Sequence, residues 1–144
     1  MKRLVFAGLA ALALTAGVMA LLLALPAPRS DVDGGVLLIL DRTELYKGQR
    51  TFTYTIVNGL DERINFGEPY DIQIYRNGEW KSVEWMRDRA WILILHVLEP
   101  RSSFSRVVEL PEEVELGRYR LVKEVMVERK GEEITLTAEF EVLG

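Results

Sequence analysis

Along ITLTAEFEV, residues 134–142, every second side chain is apolar: Ile134, Leu136, Ala138, Phe140 and Val142 alternate with Thr, Thr, Glu and Glu. In an extended chain successive side chains point to opposite faces, so this pattern puts one face on a core and the other in water. A helix, whose faces recur every 3.6 residues, cannot satisfy it. TFTYTIV (51–57) alternates in the same way through Phe52, Tyr54 and Ile56, and YDIQIY (70–75) through Tyr70, Ile72 and Ile74. Between 75 and 81, YRNGEWK contains Asn77-Gly78, a pair that tolerates the positive φ of a two-residue hairpin turn and leads into Trp80. Further strands are expected at GVLLIL (35–40), WKSVEW (80–85), WILILHVL (91–98) and FSRVVEL (104–110). Pro, Gly, Asn and Asp clusters separate them, and no helical periodicity follows residue 30. Seven to eight short antiparallel strands in about 110 residues predict an all-β sandwich.

Chemistry is bounded by what the chain lacks. With 144 residues it has room for one domain of ordinary size. It has no cysteine, which excludes disulfides, thiolate metal sites and thiol nucleophiles. A single histidine, His96, would have to serve any Ser-His-Asp triad alone, and no G-x-S-x-G elbow accompanies it. Charged residues make up 28% of the chain against three Asn and two Gln, a bias also seen in heat-adapted proteins.

Residues 4–25, LVFAGLAALALTAGVMALLLAL, form 22 positions without a charge after Lys2 and Arg3. As a helix they would span roughly 33 Å, enough for a bilayer core. A cleaved signal usually has a shorter apolar region and an A-x-A-like site, which Leu25 and Pro26 spoil here. An uncleaved N-terminal hydrophobic helix is therefore expected over a cleaved signal. Residues 1–29 read as anchor or signal with a short linker, and 30–144 as the folded domain. The basic residues stay inside, so both readings place the domain outside the cytoplasm, single-pass at the cell membrane or secreted. Of 18 Lys and Arg, three (Lys2, Arg3 and Arg29) precede residue 30, whereas all 22 Asp and Glu follow it, leaving the domain at −7. That charge argues against nucleic acid and against docking onto anionic lipid.

GRYRLVKEV (117–125) heads another strand, with glycine, one residue, then tyrosine. In immunoglobulin-like sandwiches a tyrosine near the start of a late strand turns its hydroxyl back onto the preceding corner. Gly117 suits the tight turn, and Leu121 stands where antibody domains place a cysteine. The fold expected is an immunoglobulin-like antiparallel β-sandwich of seven to eight strands. NFGEPYDIQIYRNGEWKSV resembles bacterial immunoglobulin-like domains with an FGxxY, strand, GxW pattern. LGRYRLVKEV is similar to the same domains' L-x-x-G-x-Y-R-x-x-K segment, and TAEFEV resembles their closing strand. The resemblance covers about residues 35–143. It implies an exported, non-enzymatic module and transfers no catalytic residue.

The remaining candidates each have a plainer reading. His96 is expected as a packed or half-exposed strand residue on the face of Ile92, Ile94 and Leu98. Trp80, Trp85 and Trp91 could stack on sugars, but Trp80 is expected to pack in its hairpin and Trp91 in the core, leaving Trp85 as the possible contact. DVDGG (31–35) resembles a fragment of a calcium loop without its later ligands, and a flexible linker is the better reading. No catalytic residue, metal or small-molecule cofactor is expected. The leading function is a structural or interaction module that binds a protein or envelope component through a loop end or a sheet edge. The alternative is a small β-sandwich protease inhibitor presenting RDRAW (87–91) or LDERINFGEP (60–69) to a protease cleft.

Overall fold

A computed structural model describes residues 32–33, 35–46 and 48–144. The uncharged segment 4–25, with the anchor or signal reading that rests on it, lies outside the described residues. Where side chains alternate, the chain is extended: β2 (Val36–Leu40), β4 (Thr51–Asn58), β6 (Asp71–Arg76), β7 (Glu79–Ser82), β9 (Ser103–Glu109), β10 (Gly117–Val127) and β11 (Glu132–Val142). Four short strands join them: β1 (Val32–Asp33), β3 (Glu44–Leu45), β5 (Ile64–Phe66) and β8 (His96–Leu98). The eleven strands form two sheets, and the only helical piece among the described residues is a single 3-10 turn, Glu84–Met86. Seven or eight strands were expected. The surplus consists of pieces of two or three residues, too short to display alternation.

One sheet runs β1-β2-β4-β9. The other runs β3-β11-β10-β5-β8, with β6 also on β10 and β7 on β6. The inward faces meet in one core that includes Leu38, Phe52, Tyr54, Ile56, Ile72, Leu121, Leu136 and Phe140. The β6–β7 hairpin closes through Asn77 and Gly78 at φ 52° and 82°, the two positive values that a right-twisted tight hairpin needs.

β10 is the spine of the larger sheet. It pairs along its whole length with β11, placing Tyr119 opposite Phe140, Leu121 opposite Ala138 and Val125 opposite Ile134. Its other side is shared: β6 takes residues 119–122 and β5 takes Met126 and Val127. Between them the chain leaves β10 and loops through Gly67, Glu68 and Pro69. A proline has no N–H to give to a ladder, so the divergence falls where a ladder bond is already forfeit.

The inward stripe of β10 reads Tyr119, Leu121, Lys123, Val125 and Val127, so a lysine occupies a core position, only 1% exposed. Its ammonium donates to the carbonyls of Gly67 and Pro69 at 2.6 and 2.8 Å, groups that the loop has taken out of the sheet. The rings of Phe66 and Tyr54 lie 5.3 and 6.0 Å away. Burial lowers the Lys123 pKa to about 8, a shift opposed by the nearby Glu68 charge and reinforced by Arg106.

Two expected strands are shorter than their sequences suggested. WILILHVL (91–98) is strand only at His96–Leu98. Its partner β5 ends at Phe66, opposite His96, and the loop at Gly67 then removes the template. Trp91 packs beside Tyr70 at 4.9 Å between ring centroids, while Ile92 and Ile94, assigned to one strand face with His96, are exposed. WKSVEW (80–85) is strand only through Ser82. Val83 and Met86 turn inward, which draws the chain into the 3-10 turn. Val32 and Asp33, expected in a flexible linker, pair with β2 as β1.

The lysine makes a signed prediction. Because folding lowers the Lys123 pKa, the unfolded chain holds one more proton between about pH 8 and the 10.5 usual for lysine, and stability rises with pH across that window. Tyr54, whose pKa burial raises to about 12, acts oppositely only above about pH 10. Urea melts should therefore show stability increasing from pH 8 to 10 by up to about 1.4 kcal/mol per pH unit. Lys123→Met should lack that rise, and a flat wild-type profile would contradict the buried ammonium.

Candidate functional site

β9 closes the smaller sheet and β8 closes the larger one, and both lie on the same side of the sandwich. Phe104 of β9 meets Phe66 and His96 at 5.0 and 4.6 Å between ring centroids. Arg106 of β9 reaches Glu68 at 2.6 Å, and the His96 imidazole Nε2 bonds the same carboxylate. This seam joins the two sheets at their open edges.

The backbone of β9 offers a further valence. Leu110 N–H donates to Arg50 and Asn58 N–H donates to the carbonyl of Ser102, which sets the hydrogen-bonded phase of the β4–β9 ladder. Antiparallel ladders alternate, so even-numbered residues face β4 while Ser103, Ser105, Val107 and Glu109 turn N–H and C=O outward. β9 pairs with β4 alone among the described strands. Val107 is 64% exposed on it. Flanking the seam, residues 92–95 are all exposed despite being Ile, Leu, Ile and Leu.

Glu68 sits at the electrostatic centre. The His96 hydrogen bond is the main influence lowering its carboxyl pKa; burial opposes it, and Arg106 adds a further lowering. The imidazole is half-buried between Phe66 and Phe104, a packed residue with a carboxylate partner. Among the described contacts His96 and Glu68 bond each other and Arg106, and no serine joins them.

The three tryptophans are kept apart. Trp80 lies half-buried on the outer face of the larger sheet, against Tyr75 at 5.0 Å and beneath Arg118 and Arg120 at 5.3 and 4.5 Å. Trp91 packs on Tyr70 under Arg89. Trp85, from the 3-10 turn, packs partly against the core and lines a cleft of about 510 Å³ with Arg76, Lys81, Glu84 and Tyr119. No shared aromatic platform results. LDERINFGEP (60–69) does not protrude, because Ile64 and Phe66 are buried strand residues. Among the described residues no group of His, Asp or Glu has metal-ligand grouping, and Asp31 and Gly34 of DVDGG lie outside them.

Tyr119 is 1% exposed and its hydroxyl donates to the carbonyl of Glu115 at 2.6 Å, four residues upstream. Its ring stacks on Phe140 at 5.3 Å. Gly117 precedes it at φ 152°, a value L side chains rarely adopt. Leu121 is fully buried, between Ala138 and Ile72. Sequence reasoning missed Lys123 and the Glu68–Arg106 pair. The signal for Lys123 was present, as a lysine in the apolar phase of β10.

The sequence matches the family described as Bacterial Ig-like domain over residues 34–141, and the chain belongs to that family. Domains of this kind generally serve as structural or interaction modules and are generally non-catalytic. Among 18 matching chains of solved structures is the X-ray structure of Northeast Structural Genomics Consortium target SoR45. It is similar over 77% of this chain and 88% of its own, with a TM-score of 0.50 and 13% identity, a likeness of fold alone. No curated protein matches.

Two measurements probe this geometry. Tyr119→Phe keeps the ring but leaves the Glu115 carbonyl without its donor, and should cost about 1 kcal/mol. Tyr119→Ala should cost roughly 3–5 kcal/mol, as other aromatic truncations in cores do. Equal, negligible losses in urea melts would show that the hydroxyl and ring carry no load. For Glu68, a carboxyl pKa lowered on folding contributes stability above the usual carboxylate pKa that is lost as pH falls through the folded value. Glu68→Gln should flatten the acid limb of the stability profile below about pH 4.5, the unshifted value; an unchanged limb would contradict the ion pair.

Proposed function

We propose that this chain is a non-enzymatic interaction module held at, or exported across, the cell membrane, and that it binds a protein or envelope component through the free edge of β9. The observation that carries the reading is the edge itself: seven residues of strand with one side unpaired among the described strands. Protected edges are usually very short, bulged or covered; β9 is seven residues long, keeps an unbulged register with β4, and carries no second strand among the described residues. A partner strand would gain main-chain hydrogen bonds there without needing a special side chain, which is why no motif marks the site. Export rests on Lys2 and Arg3 before the uncharged residues 4–25, which orient the following chain outward. The domain then comprises residues 30–144.

Val107→Pro tests the edge, because it removes an N–H that faces away from β4 and leaves that ladder whole. In pull-downs from solubilised envelope, partners retained by the wild-type chain should be lost by this variant while its thermal melt stays close to wild type. Retention of the same partners would overturn edge binding. Absence of any retained partner would overturn the interaction reading.

A further inference from the structure

We propose that residues 92–95 insert into the lipid surface beside which residues 4–25 hold the domain. This rests on the tethered reading above and goes beyond it by naming a second, peripheral contact with the bilayer. Ile92, Leu93, Ile94 and Leu95 are 70%, 95%, 45% and 66% exposed. The run bends at Leu93, where the Ile94 N–H donates to the Ile92 carbonyl at 3.1 Å, and it lies beside Gly67, Glu68 and Pro69. Its four successive side chains are nonetheless all aliphatic and all exposed, a pattern better met by an apolar medium than by one flat partner face.

The flanks fit the same medium. Arg89 precedes the run and lies 4.6 Å over the ring of Trp91, while Arg87 pairs with Glu84 at 3.2 Å. Arginine and tryptophan beside a short aliphatic run are suited to the headgroup layer, where cations meet lipid phosphates and the indole straddles the boundary. Glu68 beside the run is already engaged by Arg106 and His96, and the carboxylates Glu124 and Glu133 line a cleft with Leu95 but not with Ile92, Leu93 or Ile94.

Chain geometry brings the loop near the tether. Val36, where β2 begins, pairs with Asn58. The Asn58 side-chain amide donates to the carbonyls of Leu98 and Glu99 at 3.2 and 3.1 Å, joining the start of the domain to the end of β8. From Leu98 back to Leu95 is three extended residues, roughly 10 Å. From residue 25 to Val32 the chain can reach at most about 25 Å. A domain so tethered can lay the loop on the surface without unfolding.

The absence of cysteine makes a site-directed test clean. Leu93→Cys, with Lys130→Cys as a control, is labelled with a nitroxide in the full chain and reconstituted into vesicles of phosphatidylcholine with phosphatidylglycerol. The label at 93 should collide with oxygen severalfold more than with a water-soluble nickel chelate, relative to the label at 130. A water-like ratio at 93, in chain that resists an alkaline carbonate wash, overturns loop insertion and leaves the tether standing. Loss of the chain in that wash overturns the tether and the insertion with it. Protection of 93 from both reagents, or spin–spin broadening there, assigns the loop to a protein partner or a second copy and overturns the lipid contact.

Discussion

A single buried ammonium holds the larger sheet in its observed shape. β10 has two partners on one side, and the chain between them must leave the ladder and return. That departure strands the carbonyls of Gly67 and Pro69 inside the protein, where an unpaired polar group costs about 1–3 kcal/mol. Lys123 satisfies both. Burying an ammonium is itself unfavourable, and its lowered pKa records that cost. The two penalties offset each other only while lysine and loop stay together, so the position specifies one path for residues 67–70.

The consequences reach the open side of the sandwich. With the loop fixed, Glu68 projects toward Arg106 and His96, linking β9 to the larger sheet across the seam. β5 is cut short at Phe66, and β8 opposite it can extend no further than His96. Among the described residues, the aliphatic residues that precede His96 are therefore left without a strand to pair with, beside an edge strand that pairs with β4 alone. Export and partner binding, as proposed above, draw on these two features and on the apolar N-terminal segment; membership of the bacterial Ig-like family supplies the class of module.

Legibility in the sequence followed the length of the signal. ITLTAEFEV and TFTYTIV alternate over seven or more residues and are strands β11 and β4, because only one phase can face the core. Asn77-Gly78 reads as a hairpin for a local backbone reason that needs no tertiary context. WILILHVL misled because it is apolar in both phases, so composition favoured a strand while periodicity was silent. Its fate was decided by the end of β5, some 25 residues away in sequence, a contact that no local pattern contains. β1, β3 and β5 are too short to be periodic. Lys123 was visible only as an exception, a charged residue where alternation demanded an apolar one, and its carbonyl partners lie more than 50 residues upstream.

The buried ammonium can be observed directly by following the Lys123 side-chain resonance of selectively labelled protein through a pH titration in NMR. A midpoint near 8, as burial of the ammonium away from water implies, supports the account of how the sheet is held. A midpoint at the 10.5 of a solvated lysine would place the group in water and contradict it.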